Sequence, residues 1–311
     1  MAASGAGRAA GRAATDPEAP DREAPDPGAG ILDARHLGAE GVERYLRRHG
    51  LGATKRYSQN HLVDGQVLET IVEAAAPEGR SILEIGPGIG ILTGALLSAG
   101  AARVSAVEVD RRLAGHLLER FGADPRFVLT ETDVLDADVA SLVEPPYDLV
   151  ANLPYHITSP VLHQTLGQAP RPERFVLMLQ REVAERITSA PGGLSYLSVF
   201  VQYHADVSLL RVVSAAAFEP APQVESAVVA GSVRPRRLGQ TEEDELWRLV
   251  QAGFRERRKM IHNVLIRQLP LLGRERITVA LAAAGIAPDR RPQTVSVDEW
   301  LALAAAIGPL P

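Results

Sequence analysis

Four short apolar runs in the first half of the chain each end in residues suited to binding a small polar ligand. The first run ends in the glycine-rich segment Gly86–Gly90 (Gly-Pro-Gly-Ile-Gly), and the second ends at Glu108. The third is followed by Asp133, and the fourth by Asn152-Leu153-Pro154-Tyr155. In a doubly wound sheet, ligands bind at the carboxyl ends of the strands. We therefore expect these four segments to meet in one binding site.

The first three strand ends suit a ligand that contains a nucleoside. Glycine lets the backbone at Gly86–Gly90 approach a ligand closely, and the helix that follows presents its N-terminal N–H groups. Glu108, about 20 residues past the glycines, can accept both hydrogen bonds of a ribose diol, whether of NAD or of S-adenosylmethionine. Asp133 can accept a hydrogen bond from an adenine amino group. Each feature also has a plainer interpretation, because tight turns need glycine and helix ends favour acidic caps.

The fourth strand end indicates the chemistry. Asn152-Leu153-Pro154-Tyr155 matches the [N/D]-[P/I/L]-P-[Y/F] motif of amino-methyltransferases. An adenine N6 lone pair is delocalised into the ring, so acceptors on its two N–H bonds favour the pyramidal nitrogen that attacks a methyl group. The Asn152 amide oxygen and the Leu153 carbonyl are those acceptors, and Pro154 fixes the turn between them. Tyr155 offers a flat face for an extruded base. We predict that all four residues are catalytic.

Alternating strands and helices are needed to hold these segments. Short apolar runs predict strands and amphipathic patterns predict helices between them, which together indicate an α/β fold with a parallel sheet covered on both faces. Later strands are predicted at 175–179, 199–207 and 226–232. After Pro235 the strand pattern stops, and helical patterns continue to the end of the chain.

The composition divides the chain into three regions. Residues 1–40 combine Ala, Gly, Pro, Asp and Arg without a period, which predicts a disordered tail. Residues 41–233 are the predicted ligand-binding domain, and residues 234–311 a smaller all-α domain. No apolar run approaches the roughly 20 residues that span a bilayer, and no secretory segment is evident, so we expect a cytoplasmic protein without a membrane partner.

Residue counts exclude several kinds of site. The chain has no cysteine, which rules out disulfide scaffolds, cysteine-zinc sites and thiol catalysis. Its eight histidines show no ligand spacing, so we expect no metal.

The charge distribution suggests a nucleic-acid partner despite a net charge of −5. Residues 234–276 carry eleven Arg or Lys against six Asp or Glu, and residues 41–60 carry five against one. Two basic islands on an acidic body form an electrostatic footprint typical of RNA- or DNA-binding proteins. Solvated helix faces would produce the same counts.

With these motifs in place, the chain resembles the dimethyladenosine transferase (KsgA/RsmA) family of small-subunit rRNA methyltransferases. The resemblance extends from about Lys55 to the C-terminus. Besides the four strand ends, it is based on the segments 55–62 (KRYSQNHL), 180–186 (QREVAER), 218–229 (FEPAPQVESAVV) and 254–260 (FRERRKM). It implies a Rossmann-like class I methyltransferase sheet with a smaller all-α C-terminal domain.

The resemblance also implies an activity and its residues. Such an enzyme transfers methyl groups from S-adenosylmethionine to N6 of two adjacent adenosines in the 3′-terminal hairpin loop of 16S rRNA. The implied partner is the immature 30S subunit, and we expect the enzyme to be a monomer. The implied methyl-donor pocket comprises Asn60, Leu62, Gly86, Glu108, Asp133 and Asn152. The implied RNA-binding residues are Arg255, Arg257, Arg258 and Lys259, on a basic helix.

Two departures and two alternatives accompany this interpretation. His61 stands where the family usually has an apolar aromatic residue, and His156 where it commonly has asparagine. An Erm-type methyltransferase acting on 23S rRNA shares the catalytic core, although the C-terminal segments resemble the 16S enzymes. A non-catalytic assembly factor of the same fold is the other alternative. The intact motif at Asn152 and the acid at Glu108 favour an enzyme.

Overall fold

The computed structural model describes residues 34–51 and 60–311. Most of the predicted tail, residues 1–33, lies outside the described residues. The same is true of residues 55–59, which begin one of the segments that resemble the family.

The first helix, α1 (Ala34–Arg48), begins inside the segment 1–40 that composition predicts to be disordered. It is kinked at Gly38, where the backbone departs from helical angles. Beyond the kink, Val42 and Leu46 are buried in the core. These apolar side chains anchor α1 to the core. The helix begins at Ala34, although the composition predicts disorder up to residue 40.

The remaining elements alternate along the chain as the sequence predicts. The strands are β1 (His61–Leu62), β2 (Ser81–Ile85), β3 (Arg103–Glu108), β4 (Phe127–Glu131), β5 (Asp148–Asn152), β6 (Arg174–Gln180), β7 (Ala205–Val213), β8 (Phe218–Glu219) and β9 (Ser226–Val233). The helices after α1 are α2 (Gly65–Ala75), α3 (Ile91–Ser98), α4 (Arg111–Phe121), α5 (Val139–Leu142), α6 (Thr158–Gly167), α7 (Arg181–Ile187), α8 (Tyr196–His204), α9 (Gln240–Phe254), α10 (Ile261–Gln268), α11 (Arg274–Ala283) and α12 (Val297–Ile307).

Seven strands form the central sheet in the order β4-β3-β2-β5-β6-β9-β7. The first five of these are parallel, and β9 runs antiparallel between β6 and β7. The sheet is therefore mixed at one edge, where the sequence predicts parallel strands throughout. The order reverses between β2 and β5, and such a switch point is where doubly wound sheets bind ligands. Gly86 and Leu153 follow these two adjacent strands.

A separate two-stranded sheet joins distant parts of the chain beside this switch point. β1 pairs antiparallel with β8, so that His61 lies opposite Glu219 and Leu62 lies opposite Phe218. Asn60 thereby comes next to the carboxyl ends of the central strands.

The strand predicted at 199–207 is wrong over most of its length. Its first part belongs to α8, and only the part after His204 is extended, as the start of β7. A capping box between Ser195 and Ser198 starts the helix, and its side chains from Leu197 to Val201 are buried. A helix buried on most sides has an apolar run that periodicity does not distinguish from a strand.

The C-terminal region is helical, as predicted. Its core contains Trp300, which is fully buried, together with side chains from α9 to α12. Leu194, Val199 and Tyr203 belong to the same hydrophobic cluster, so the helical region packs directly on α8. Within the described residues, no helix is long and apolar enough to cross a membrane, and no group of acidic, histidine or cysteine side chains could hold a metal ion.

Candidate active site

One cavity of about 260 Å³ lies at the switch point of the central sheet. The residues predicted to bind the methyl donor or to act in catalysis all line it: Asn60, Leu62, Gly86, Glu108, Asp133, Asn152, Leu153, Pro154 and Tyr155. The four strand ends therefore meet as the sequence predicts, and the β1–β8 pair adds Asn60 and Leu62.

The glycine loop, Gly86–Gly90, forms one wall of the cavity. Gly86 has a φ of 67° and Gly88 a φ of 62°, both in the left-handed region that favours glycine. A β-carbon at Gly86 would lie 3.6 Å from Pro154, so the loop passes close beside the motif Asn152–Tyr155. The Gly86 N–H donates to the Val107 carbonyl at 2.9 Å, which ties the loop to β3.

Glu108 is a buried carboxylate held by three backbone N–H groups. Its Oε1 accepts hydrogen bonds from Val109 and Asp110, and its Oε2 accepts one from Gly88 at 3.1 Å. Burial raises the pKa of Glu108, and these three hydrogen bonds oppose that rise. The bonds fix the carboxylate at the cavity wall, where Oε2 retains a lone pair for a ligand hydroxyl.

Glu84 is a second acid in the cavity, and sequence reasoning gave it no role. It lies on β2 just before the glycine loop and is 1% exposed. The Thr93 hydroxyl donates to its Oε2 at 2.7 Å. Burial raises the pKa of Glu84 to about 8, with a smaller contribution from the charge of Glu108. At neutral pH Glu84 is therefore mainly protonated.

Asp133 both stabilises a local turn and lines the cavity, so its position fits the capping and the ligand-binding interpretations together. Its Oδ1 accepts a hydrogen bond from the Leu135 N–H at 2.9 Å, which fixes the turn after β4. The side chain is exposed and lines the cavity, so its second oxygen is available to a ligand.

The motif Asn152–Tyr155 is held so that its hydrogen-bond acceptors remain open. Asn152 Nδ2 donates to the Asn60 carbonyl at 3.5 Å, which directs Oδ1 away from that contact. The Leu153 N–H donates to Met178 on β6 at 3.1 Å. Among the described residues, neither Asn152 Oδ1 nor the Leu153 carbonyl oxygen receives a hydrogen bond.

Tyr155 is half-buried, and its hydroxyl has a defined partner. The hydroxyl lies 2.8 Å from Ser226 Oγ, a fully buried side chain at the start of β9. Burial raises the pKa of Tyr155, so the phenol is protonated at neutral pH. The hydrogen bond fixes one edge of the ring.

The β1–β8 pair contributes two further aromatic side chains to the cavity, His61 and Phe218. His61 is 6% exposed, burial lowers its pKa to about 4, and its Nε2 has no hydrogen-bond partner. The ring therefore acts as an uncharged aromatic surface, as the usual residue at this position would. His156 lines the cavity mouth and is exposed. Sequence analysis gives Phe218 no role in the site. Its place at the start of the segment 218–229, which resembles the family, is the feature of the sequence that points to it.

The predicted basic helix is instead a turn. Residues 255–259, here called the basic turn, link α9 to α10. Five consecutive charged side chains, with Glu256 among them, offer no apolar stripe that could be buried, so the helix does not continue through them. Arg255, Arg257, Arg258 and Lys259 are all exposed, and none pairs with an acid in the described part of the chain.

Residues 51–307 match the family model described as "Ribosomal RNA adenine dimethylase". A protein of Anaeromyxobacter sp. (strain K), named ribosomal RNA small subunit methyltransferase A, is 41% identical over 277 residues, covering 85% of this chain and 96% of its own. A protein of the same name from Acaryochloris marina is 42% identical over 267 residues, covering 82% and 97%.

Two solved structures share the architecture. The 23S rRNA methyltransferase ErmE is 28% identical with a TM-score of 0.63, and the match covers 80% of this chain and 99% of that one. A dimethyladenosine transferase from Plasmodium falciparum is 24% identical with a TM-score of 0.66, covering 78% and 95%. The second likeness is one of fold.

Proposed function

The chain belongs to the ribosomal RNA adenine dimethylase family, and from that premise we propose that its substrate is small-subunit rRNA. It is a methyltransferase that uses S-adenosylmethionine. The proposed targets are N6 of two adjacent adenosines in the 3′-terminal hairpin loop of 16S rRNA. The observation that carries this proposal is the single cavity in which Glu108 and the open acceptors of Asn152 and Leu153 meet.

The curated relatives favour the small subunit over the Erm-type alternative. Proteins 41–42% identical over more than four fifths of this chain are named for the small ribosomal subunit. The 23S enzyme covers a similar share of the chain at 28% identity. The intact acceptors at Asn152 and Leu153 favour an active enzyme over a non-catalytic assembly factor.

The cavity residues fit S-adenosylmethionine, which when bound supplies an electrophilic methyl group. Glu108 keeps a lone pair for the ribose diol, and Asp133 keeps an oxygen for the adenine amino group. Gly86 lacks a side chain that would occupy the space beside Pro154. Asn60 and Leu62 would complete the pocket from the β1–β8 side.

The catalytic motif acts on the target amine. Asn152 Oδ1 and the Leu153 carbonyl accept hydrogen bonds from its two N–H groups. These bonds favour a pyramidal nitrogen, whose lone pair can then attack the methyl group. The Tyr155 ring stacks on the extruded base and holds it in the cavity. The nitrogen gains a methyl group and loses one proton, and a protonated N-methylated adenine amine is acidic enough to release that proton to water. The reaction therefore needs no general base from His156.

We propose that the helical domain, residues 234–311, binds the RNA backbone and that residues 41–233 form the methyltransferase domain. The basic turn supplies four exposed charges for phosphate contacts. The implied partner is the immature 30S subunit, encountered in the cytoplasm by a monomeric enzyme.

Methyl transfer from labelled S-adenosylmethionine tests the proposal. We expect label in 16S rRNA of 30S particles from a strain that lacks this modification, at two adjacent adenosines. Particles that already carry the modification are the matched control. Label in 23S rRNA of 50S particles would instead identify the Erm-type activity, and no label in either would identify a non-catalytic factor.

A further inference from the structure

The glycine loop is held from outside the cavity by an arginine of α4. Arg120 Nη1 donates a hydrogen bond of 2.6 Å to the carbonyl oxygen of Ile89, whose buried side chain also lines the cavity. We propose that Arg120 is a positioning residue, which fixes the glycine loop in the conformation that receives S-adenosylmethionine. This inference rests on the proposed function.

Arg120 is surrounded by aromatic rings and has one hydrogen-bond acceptor, the Ile89 carbonyl, among the described residues. No carboxylate of the described residues pairs with it, and its guanidinium lies over the rings of Phe121 and Tyr45, at 4.6 Å and 6.0 Å from their centroids. Burial lowers the pKa of Arg120. A partly desolvated cation without a counter-ion binds a carbonyl dipole more strongly than a solvated one does. The bond to Ile89 therefore restrains the loop.

The loop is in fact held on two sides. On the cavity side, the Gly88 N–H donates to Glu108 at 3.1 Å. On the other side, Gly90 adopts a φ of 81°, and a β-carbon there would lie 2.5 Å from the Phe121 ring. The loop thus lies directly on the last turn of α4, and Arg120 donates a hydrogen bond to the carbonyl of the peptide between Ile89 and Gly90. The Gly90 N–H of this peptide donates to the Pro87 carbonyl at 2.9 Å, so losing Arg120 would remove the restraint on its carbonyl side alone.

Helix α1 supports Arg120 in turn. The Tyr45 hydroxyl lies 2.9 Å from Nε2 of His116, which is one helical turn before Arg120 on α4. Burial lowers the pKa of His116 to about 4, so its ring is neutral at pH 7 and shares a hydrogen bond with the Tyr45 hydroxyl. The Tyr45 ring centroid also lies 6.0 Å from the Arg120 guanidinium carbon, so α1 contacts the helix that holds the glycine loop.

The chain offers a matched control in Arg126. This arginine also donates to backbone carbonyls, those of Leu97 and Ala101, but it pairs with Asp124 and does not line the cavity. Arg120→Met and Arg126→Met thus each remove an arginine that supports a loop, and only the first loop binds the donor.

Calorimetric titration of S-adenosylmethionine into each full-length variant, without RNA, tests the inference. For Arg120→Met we expect a Kd raised about tenfold, equivalent to about 1.4 kcal/mol. Arg126→Met should stay within twofold of the parent, even where its melting temperature falls. In steady state, Arg120→Met should raise KM for the donor and leave kcat near the parent value. Arg120→Lys should recover part of the affinity, because it restores a cation.

Parent-like donor affinity in Arg120→Met would overturn the inference, as would an equal loss in both variants. Should Arg120→Met not fold, Arg120→Gln retains an uncharged donor. We expect it to raise Kd at least threefold, and an unchanged Kd would overturn the role of the charge. A parent protein that does not bind S-adenosylmethionine would overturn the proposed function itself, and this inference with it.

Discussion

The active-site cavity and the basic turn differ in how the rest of the chain holds their polar side chains. In the cavity, Glu108 accepts three backbone hydrogen bonds, and Asn152 is oriented by Asn60. In the basic turn, four cationic side chains are exposed, and none has an ion-pair partner within the described residues. One region is preorganised, and the other is free to adapt to its partner.

This difference sets how each region recognises a ligand. A preorganised group acts through directed hydrogen bonds, so one substitution removes a defined contact at a large cost. Exposed surface charges act through an electrostatic field to which several residues contribute, and salt screens that field. We therefore expect a single substitution to have a large effect where it removes a directed hydrogen bond to a ligand in the cavity, and to do little in the basic turn.

The largest effect is expected for Asn152→Ala. Its amide oxygen binds N6 more strongly as positive charge develops on the nitrogen, so its loss reduces rate more than binding. Removing one such preorganised partner costs about 10²–10³ in rate. Single-turnover methylation of 30S particles at saturating donor measures this, with the exposed Asn263→Ala as control. An Asn152→Ala enzyme within threefold of the parent would place the chemistry elsewhere.

Glu108→Ala should weaken donor binding about 10- to 100-fold, with the fold retained. Each charge-assisted hydrogen bond to the ribose contributes roughly 1.5–3 kcal/mol. Glu131 lies opposite Glu108 on the neighbouring strand and is exposed, so Glu131→Ala is a matched control. Calorimetry in the absence of RNA gives both dissociation constants. Equal affinities for the two variants would contradict the ribose assignment.

Neutralising Arg255, Arg257, Arg258 and Lys259 together should weaken binding to 30S particles and leave donor affinity intact. Each lost phosphate contact lowers the logarithmic salt slope by roughly 0.7–0.9. Titrations at several salt concentrations measure that slope. A variant with lysine at all four positions keeps the charge and should bind nearly as the parent does. Normal binding by the neutral variant at physiological salt would mean that the RNA surface lies elsewhere.

The same comparison explains what the sequence predicts well. The proposed donor site lies at strand ends, and residues such as Glu108 and Asn152 end short apolar runs whose type and order are evident in the sequence. Parallel strands bring those ends together, whatever the details of the loops. The resemblance to the family predicts a helix at the basic turn, and the structure has a turn there because a likeness of residue types does not fix the backbone conformation. The helix at Tyr196–His204 was missed because burial on most sides hides its period.

Contacts between distant segments were beyond sequence reasoning. Nothing in the sequence indicates that Tyr45 reaches α4 or that Arg120 holds Ile89, because these pairs depend on how α1 and α4 pack. The protonation of Glu84 likewise depends on the depth of its burial, and a strand pattern indicates only that β2 is apolar.

Glu84 makes the stability of the cavity depend on pH. Its folded-state pKa of about 8 exceeds the usual value, so between about pH 5 and pH 8 the folded protein binds a proton that the unfolded chain does not. The stability contributed by this proton is present at low pH and is lost as pH rises through about 8. Glu84→Gln should remove roughly 1–3 kcal/mol of that loss. Denaturant unfolding at pH 6 and pH 9 measures it, with exposed Glu73→Gln as control. If the difference in unfolding free energy between pH 6 and pH 9 were unchanged by Glu84→Gln, the raised pKa of Glu84 would be contradicted.

The smallest effect concerns Tyr155, where the structure sharpens the prediction from sequence. The motif indicates a stacking ring, and on that basis Tyr155→Phe would be silent. The hydroxyl, however, is the hydrogen-bond partner of the fully buried Ser226. Tyr155→Phe leaves the buried Ser226 hydroxyl without a hydrogen-bond partner, at a cost of about 1–3 kcal/mol in stability. It also removes the contact that holds one edge of the ring.

We expect Tyr155→Phe to lower the melting temperature by a few degrees and to weaken capture of the target adenosine about two- to fivefold. Removing both partners leaves no buried polar group unsatisfied, so Tyr155→Phe combined with Ser226→Ala should recover most of the stability. It should not recover adenosine capture, because the ring edge remains free. Thermal unfolding and KM for 30S particles separate the two effects. Were the double variant to recover both, the hydroxyl would serve stability alone, and stacking would not depend on its orientation.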